Sequence, residues 1–473
     1  MASDRTTPRA PKRAGADPAR KAAWRMIRDV EQRGAFSNLS LSNGLRGLDE
    51  RDRALATELT YGTLRCTGQL DHVLQLGSDR PVADIDAHLR DVLRIGVYQL
   101  LHTRVPSHAA VTTTVDLAHE VAGPAASRFT NAVMRRVSEH IEATDDPAAR
   151  VLAPPRSRDP IGWLGLVHAH PNWVVEAFGR ALGDDPDETA AALAADNVRP
   201  QTHLVARSMS LEDLEAEVVE SGMVARRGEL SPRALILESG DPGRLASVRS
   251  GAAAVQDEGS QLVALAFAAV EAPEGVTVDL CSGPGGKAAL LSRELAGGLV
   301  ALEPRPARAK LVQQSLHGLA DGSDWVVVRG DGVHPPLRSR SAARVLVDAP
   351  CSGLGALRRR PESRWRRSPA DITRLVPLQK ALLRSALSLT VPGGLVGYVT
   401  CSPHLEETVE VVERVLAEVT DFALLDARVA IESIVGRPVG GTGDGPYIQL
   451  WPHRHGTDAM FLALIRNTRS PLQ

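Results

Sequence analysis

The sequence predicts a multidomain protein: an all-α N-terminal half, an α/β C-terminal half with a doubly wound sheet, and a small mixed α/β segment before that sheet. Three observations carry this prediction. From about residue 17 to 140, apolar residues recur at helical spacing and no strand-like alternation interrupts them. From about residue 256 onward, short apolar runs alternate with amphipathic stretches, the pattern of parallel strands joined by right-handed helical crossovers. Finally, 473 residues exceed the usual size of one hydrophobic core.

Taken in order, the first twenty residues, "MASDRTTPRAPKRAGADPAR", are rich in Pro, Arg and Ala and lack an apolar signal-peptide core. A disordered leader is expected over residues 1–16. The helical domain is expected over 17–145. In "ARKAAWRMIRDVEQRGAF", Ala23, Met26, Ile27 and Val30 share one helix face. "HLRDVLRIGVYQLLHT", "SHAAVTTTVDLAHEVAG" and "ASRFTNAVMRRVSEHI" repeat the pattern. Trp24, Met26, Tyr98 and Leu100 are expected in this core. "TDDPAARVLAPPRSRDP" has the composition of a linker. A linker and small α+β segment is expected over 146–255, with "NWVVEAFGRALG" and "DETAAALAADN" helical and "RPQTHLVAR" and "RALILES" extended. The α/β domain is expected over 256–473. Its strands are "VTVDL", "GLVALE", "WVVVRGD", "ARVLVDAPC" and "GGLVGYVTCS", and "YIQLWPHRHGTDAMFLALIRN" closes the chain as an antiparallel hairpin.

With 43% hydrophobic and 24% charged residues, the composition is that of a soluble globular protein. No apolar run reaches the roughly 18 residues of a membrane span, so no membrane partner and a cytoplasmic location are expected. Cysteines stand only at 66, 281, 351 and 401, too scattered for a disulfide framework or a CxxC metal site. Reduced thiols, no metal and a monomer are expected. A net charge of −2 means that any contact with nucleic acid must rest on local basic clusters.

In a doubly wound sheet, ligands sit beyond the carboxyl ends of the strands. Here the strand ends carry Asp279 and then "CSGPGGK"; Glu303; Asp331; Asp348, Pro350 and Cys351; and Thr400 and Cys401. A phosphate-binding P-loop requires Gly at the place of Cys281 and Ser or Thr at that of Ala288, so Mg-ATP is disfavoured, and the GxGxxG dinucleotide pattern is absent. The loop Cys281, Ser282, Gly283, Pro284, Gly285, Gly286 and Lys287 remains as a tight turn that admits a ligand close to the backbone. Glu303 follows at the distance of a ribose-diol acceptor, and Asp331 stands where an adenine edge could be held. A nucleoside without pyrophosphate, such as S-adenosylmethionine, fits this set better than NAD.

Cys351 and Cys401 end strands expected to be neighbours, so both should face one cleft. Buried, inert cysteines are common. Two thiols beside an acid and a methyl donor nevertheless suit one reaction. A thiolate that attacks C6 of cytosine turns the ring into an enamine able to take a methyl group at C5, and a second group then assists release. Spacing alone leaves open which thiol attacks.

"DLCSGPGGK", "DAPCSGLGALRRRPESRW" and "YVTCSPHLEET", in this order, resemble the RNA cytosine-C5 methyltransferases of the Sun (Nol1/Nop2) family, in particular the bacterial 16S ribosomal RNA branch, RsmB/Sun. "LDERDRALATELTYGTLR", "LRIGVYQLL", "VPSHAAVTTTVDLA", "FTNAVMRR", "HPNWVVEAFG", "VQDEGSQLVA" and "LWPHRHGTDAMFLA" extend the resemblance from about residue 17 to 468. It implies a NusB-like N-terminal RNA-binding domain, RNA binding by the 146–255 segment, and a Rossmann-like class I methyltransferase domain. It further implies S-adenosyl-L-methionine held by Cys281–Lys287, Glu303, Asp331 and Asp348. Cys401 is the implied nucleophile, Cys351 the release thiol and Asp348 a further catalytic group, with 16S ribosomal RNA as partner. "CSG" for the family's frequent "CAA", Glu303 and Glu362 for Asp, and "SPHLEET" for "S…EEN" are departures that put the substrate position in doubt. A non-catalytic RNA-binding or assembly protein, and the same chemistry on tRNA or DNA, are the alternatives; two retained thiols argue against the first.

Arg358, Arg359, Arg360, Arg364, Arg366, Arg367 and Arg374 cluster after Cys351, with Trp365 among them. A solvated charged loop is the simpler reading of such a run. Next to a thiol that acts on a base, Arg358, Arg359, Arg360, Arg364 and Trp365 are expected to grip RNA and help splay the base. His453 and His455 lack a thiol or carboxylate to complete a ligand set, so a turn or RNA contact is expected of them.

Overall fold

The fold is seen in a computed structural model that describes residues 15–33, 44–319 and 324–470. Of these, the residues up to Asn172 together with Arg360–Trp365 form one unit, and the remaining described residues from Trp173 to Arg359 and from Arg366 onward form the other. The leader expected over 1–16 lies outside the described residues except for Gly15 and Ala16.

The first unit is helical: α1 (Pro18–Arg33), α2 (Glu50–Gly77), α3 (Ala87–His102) and α4 (Ser107–Glu142). Aspartates start two of these helices by accepting otherwise orphaned N–H groups. Asp49 accepts from Asp52, and Asp86 accepts from His88 and Leu89. Ala23, Met26, Ile27 and Val30 of α1 are buried, as their spacing predicts. Tyr98 is buried too, while Trp24 and Leu100 pack against the core from half-buried positions. The stretches expected as separate helices before and after residue 124 run as one element broken at Gly123, whose φ of +82° suits glycine and whose successor is Pro124. The unit continues past the expected boundary at 145. Val151 and Ala169 lie in its core, and the Gln69 amide donates to Leu166 O (2.6 Å), so the Pro-rich stretch is packed rather than a bare linker.

A buried charge cluster ties α1 to α3. Asp91 accepts from Arg28 (2.8 Å) and Arg94 (3.0 Å), and Arg94 also forms a two-bond pair with Asp71 (2.7 and 2.8 Å).

In the second unit, β1 (Thr202–Ala206), β2 (Val224–Arg227), β3 (Ala234–Ser239) and β4 (Ala253–Val255) form an antiparallel sheet in the order β2-β3-β1-β4. Helix α5 (Glu258–Ala269) leads into the larger sheet, which holds β5 (Thr277–Asp279), β6 (Leu299–Leu302), β7 (Trp325–Val328), β8 (Ala342–Asp348), β9 (Thr390–Thr400), β10 (Phe422–Leu425), β11 (Ile448–Gln449) and β12 (Phe461–Asn467). Its order is β10-β12-β9-β8-β5-β6-β7, with β11 paired to β12. The run from β9 to β7 is parallel, and α6 (Gly286–Glu294) and α7 (Pro369–Leu389) are among its crossovers. β8 and β9 are apolar almost throughout because both of their faces are covered. The expected terminal hairpin is present, β11 pairing antiparallel with β12 over two residue pairs, and β12 is in addition seated antiparallel between β9 and β10. Phe461–Ile465 are all buried, and a strand buried on both faces needs partners along both edges.

We expect Asp91→Ala to destabilise the helical unit by about 3 kcal/mol, because Arg28 and Arg94 lose a buried carboxylate. Denaturant unfolding followed by circular dichroism measures this, and a loss well under about 1 kcal/mol would show the cluster to be dispensable.

Candidate active site

The strand order reverses between β5 and β8, since β6 continues to one side of β5 and β9 to the far side of β8. A crevice opens beyond the carboxyl ends of such a pair. β5 delivers Asp279 and the Cys281–Lys287 loop there, and β8 delivers Asp348 and Cys351. Parallel pairing sets Asp348 against Val399, two residues before Cys401.

The two sulfurs meet at 3.4 Å. Cys401 O accepts from Gly355 N (2.9 Å), and Gly355 O accepts from Ala459 N (2.8 Å). A Cβ at Gly355 would collide with the carbonyl of Ala459 and come within 2.9 Å of the Cys401 carbonyl, so the chain after Cys351 passes there only as glycine. Lys287, at the start of α6, reaches across to Asp348 (Nζ to Oδ2, 2.8 Å). Glu407 is fully buried and accepts from Ser352 N (2.8 Å) and Ser402 Oγ (2.7 Å).

Charge separates the thiols. Cys401 is pulled below the ordinary thiol range by the hydrogen bond from Cys351 and by the Lys287 ammonium, against burial and the Asp348 carboxylate. Cys351 is pushed well up by that same hydrogen bond, by burial and by the negative charges of Cys401 and Glu407. Burial lowers Lys287, but contact with Asp348 prevails and keeps it charged. The other two cysteines are held neutral. Burial pushes Cys66 up to about 11, and burial with three nearby carboxylates pushes Cys281 well up.

The Cys281–Lys287 loop is packed closely against its neighbours. A Cβ on Gly283 would strike the Glu303 carboxylate, and one on Gly285, where φ is +111°, would lie 2.7 Å from Ser315 Cβ. Glu303 is buried and accepts from Arg305 N (3.0 Å), with Arg308 beside it at 3.5 Å. Asp331 is exposed and accepts from Val333 N (2.9 Å). Asp279 was not among the expected site residues. Its Oδ1 accepts from Cys281 N (3.2 Å), while its buried Oδ2 has no hydrogen-bond partner. Burial and the nearby Asp348 raise its pKa to about 7. A carboxyl at the end of β5 with a vacant acceptor suits a cationic ligand. A strand-end acid before a glycine loop was the available signal for it.

The arginine expectation is corrected at Arg358, Arg359 and Arg364. Arg358 and Arg359 are drawn inward to two buried carboxylates: Arg359 pairs with Asp257 (2.6 Å) and Asp458 (2.9 Å), and Arg358 with Asp458 (3.1 Å). Arg364 is fully buried in the helical unit and donates to Ala169 O (3.0 Å). Trp365 there donates its indole N–H to Arg65 O (2.9 Å). Guanidinium and indole groups engaged in this way hold the protein itself. Arg360 is exposed. His453 and His455 lie on a one-turn helix, Pro452–His455, where His453 pairs with Glu188 (2.9 Å) and His455 Nδ1 accepts from Trp451 N (2.9 Å). Among the described residues, no group of three His, Cys, Asp or Glu could hold a metal ion, and no helix is long and apolar enough to cross a membrane.

Comparison with known proteins bears on this arrangement. The family model "16S rRNA methyltransferase RsmB/F" matches residues 267–466, and that of the NusB family matches residues 17–139. The Mycobacterium tuberculosis protein named "Putative methyltransferase Rv1407" is 49% identical over 465 residues, spanning 97% of this chain and 98% of the relative. Ribosomal RNA small subunit methyltransferase B of Pseudomonas putida is 32% identical over 426 residues, spanning 89% of this chain and 93% of the relative. The crystal structure of PH0851 shares the fold, with a TM-score of 0.77 at 22% identity over 96% of this chain and 100% of that one.

The raised pKa of Asp279 has a consequence for stability. Because its folded pKa lies above the unfolded carboxyl value, its contribution is fully present below about pH 4 and is lost as pH rises through about 7. We therefore expect the melting temperature of Asp279→Asn to gain on that of the wild type between pH 4 and pH 8. Parallel curves across that range would show that the carboxyl is not perturbed.

Proposed function

The chain belongs to the 16S rRNA methyltransferase RsmB/F family, and on that premise we propose that it methylates cytosine C5 in 16S ribosomal RNA through a covalent Cys401 adduct. The observation that carries this reading is the thiol pair, 3.4 Å apart and oppositely biased, beside the Lys287–Asp348 ion pair.

The ring carbon C5 needs electrons before it can accept a methyl group. Cys401, favoured as thiolate, supplies them by bonding to C6 of the base, which leaves an enamine with its electron pair at C5. S-adenosylmethionine, when bound, supplies the electrophilic methyl group. The Cys281–Lys287 loop, Asp279 and Glu303 would hold it: Gly283 lets the Glu303 carboxylate lie against the loop backbone, and the unpartnered Asp279 oxygen would face its cationic end. Glu303 is placed to accept from ribose hydroxyls, and Asp331 stands for the adenine edge. Asp348, fixed by Lys287, offers a carboxylate of the kind that accepts from a cytosine amino group.

Release requires a base for the C5 proton. While Cys401 is an anion, its hydrogen bond and charge hold the Cys351 proton. Once Cys401 carbon–sulfur bonding removes that charge, Cys351 can give its proton to solvent, which is the one proton the methylation releases, and as thiolate accept the proton on C5. The C5–C6 double bond then re-forms and the Cys401 thiolate departs. A non-catalytic binding protein has no use for two thiols so disposed.

Bisulfite sequencing of ribosomal RNA from cells with and without the gene tests the assignment, with loss of one or more 16S 5-methylcytosines expected; an unchanged 16S pattern overturns it. On a denaturing gel, we expect Cys401→Ala to give neither adduct nor product and Cys351→Ala to accumulate a protein–RNA complex. The opposite pattern would exchange the two roles.

A further inference from the structure

"SPHLEET" follows the second thiol, and the chemistry above leaves its Glu407 without a task. This side chain is wholly buried, and the groups that hydrogen-bond its carboxylate are all neutral. Oε1 accepts from Ser352 N (2.8 Å) and from Gln379 Nε2 (3.1 Å). Oε2 accepts from Ser402 Oγ (2.7 Å) and from Ser352 Oγ, and the two serine hydroxyls lie 3.3 Å apart. Ser352 is the residue after Cys351, and Ser402 is the residue after Cys401. Gln379 adds a second hold on the first loop by donating to Pro350 O (2.9 Å), immediately before Cys351. The clamp is itself fixed, because Glu407 N donates to His404 O (2.9 Å) and Glu407 O accepts from the buried Tyr398 hydroxyl (2.9 Å).

A buried carboxylate without a cationic partner is costly, and such groups persist where their hydrogen bonds set something else in place. We propose that Glu407 is the positioning residue of the thiol pair, clamping the residue after each cysteine so that both sulfurs stay within reach of one base for successive addition and release. The proposal rests on the function given above and adds the group that sets the geometry of its two steps. Charge agrees with it. Cys351 faces Cys401, Glu407 and Tyr398, whereas Cys401 faces Cys351, Asp348, Lys287 and Asp458, so the Glu407 charge raises Cys351 while sparing its partner.

The test uses the full-length protein. In single-turnover reactions with 16S RNA and S-adenosylmethionine, we expect Glu407→Ala to slow methylation by about 100-fold, with the KM for RNA within about twofold of wild type. Ser402→Ala should slow adduct formation, and Ser352→Ala should let adduct accumulate, since each releases one arm of the clamp. The second readout is alkylation by iodoacetamide at each thiol across a pH series, quantified by mass spectrometry without RNA. In Glu407→Gln, Cys351 should react at lower pH than in wild type while the Cys401 profile stays in place. If Glu407→Ala fails to fold by near-ultraviolet circular dichroism, the Gln and serine variants carry the test. Turnover within about threefold of wild type in all folded variants, or alkylation profiles that do not separate, would overturn the proposal. Should wild-type protein methylate no cytosine, the proposed function fails by itself, and the alkylation arm still reports whether Glu407 sets the thiols.

Discussion

Parallel pairing of β8 with β9 is the constraint on which the candidate site depends. A parallel ladder aligns the carboxyl ends of its strands, and the register that sets Asp348 against Val399 brings together two cysteines 50 positions apart in the chain. A one-residue slip of either strand would move Cys351 away from Cys401 and misfit the side chains packed against both faces. Burial of β8 and β9 on both faces therefore fixes the separation of the sulfurs as firmly as it fixes the core. The antiparallel seating of β12 against β9 adds the Ala459 N–H, which donates to Gly355 O while Gly355 N donates to Cys401 O, so the chain after Cys351 is held against Cys401.

On that frame, the two thiols differ through their neighbours rather than through their exposure. The thiol–thiol hydrogen bond makes most of the difference, because a proton shared between two close sulfurs must rest on one of them; Lys287 favours charge on Cys401 against Asp348 and Asp458, and Glu407 disfavours it on Cys351. This arrangement reverses itself during a reaction at Cys401. Once that sulfur is bonded to carbon, the charge that held the second proton is gone. One pair of identical side chains can thereby serve first as nucleophile and then as base.

The arginine knot after Cys351 illustrates the opposite lesson. Seven arginines within seventeen residues, from 358 to 374, look like a surface for phosphate, yet Arg358 and Arg359 neutralise Asp257 and Asp458 in the interior. Asp257 also begins α5 by accepting from Gly259 N (2.9 Å), so the charge cluster joins a helix start, the thiol loop and the approach to β12. Removing either carboxylate would leave a buried guanidinium without its partner, a far greater loss than that of a surface ion pair.

The sequence by itself determined the helical first half, the alternation of strands and helices in the second, and the residues at the strand ends, because those features follow from local periodicity and from the loops that glycine permits. It also made the family resemblance legible in three short motifs, and that resemblance, not spacing, distinguished Cys401 from Cys351. Only the tertiary structure decided which arginines face inward, where β12 inserts, how far the helical unit extends, and that Glu407 belongs with the thiols. Those outcomes depend on partners far away in the chain: Asp458 for Arg358, Ala169 for Arg364, Ser352 for Glu407. A charged side chain looks the same in a sequence whether it meets solvent or a buried counter-charge, and only the folded chain supplies the partner that settles which.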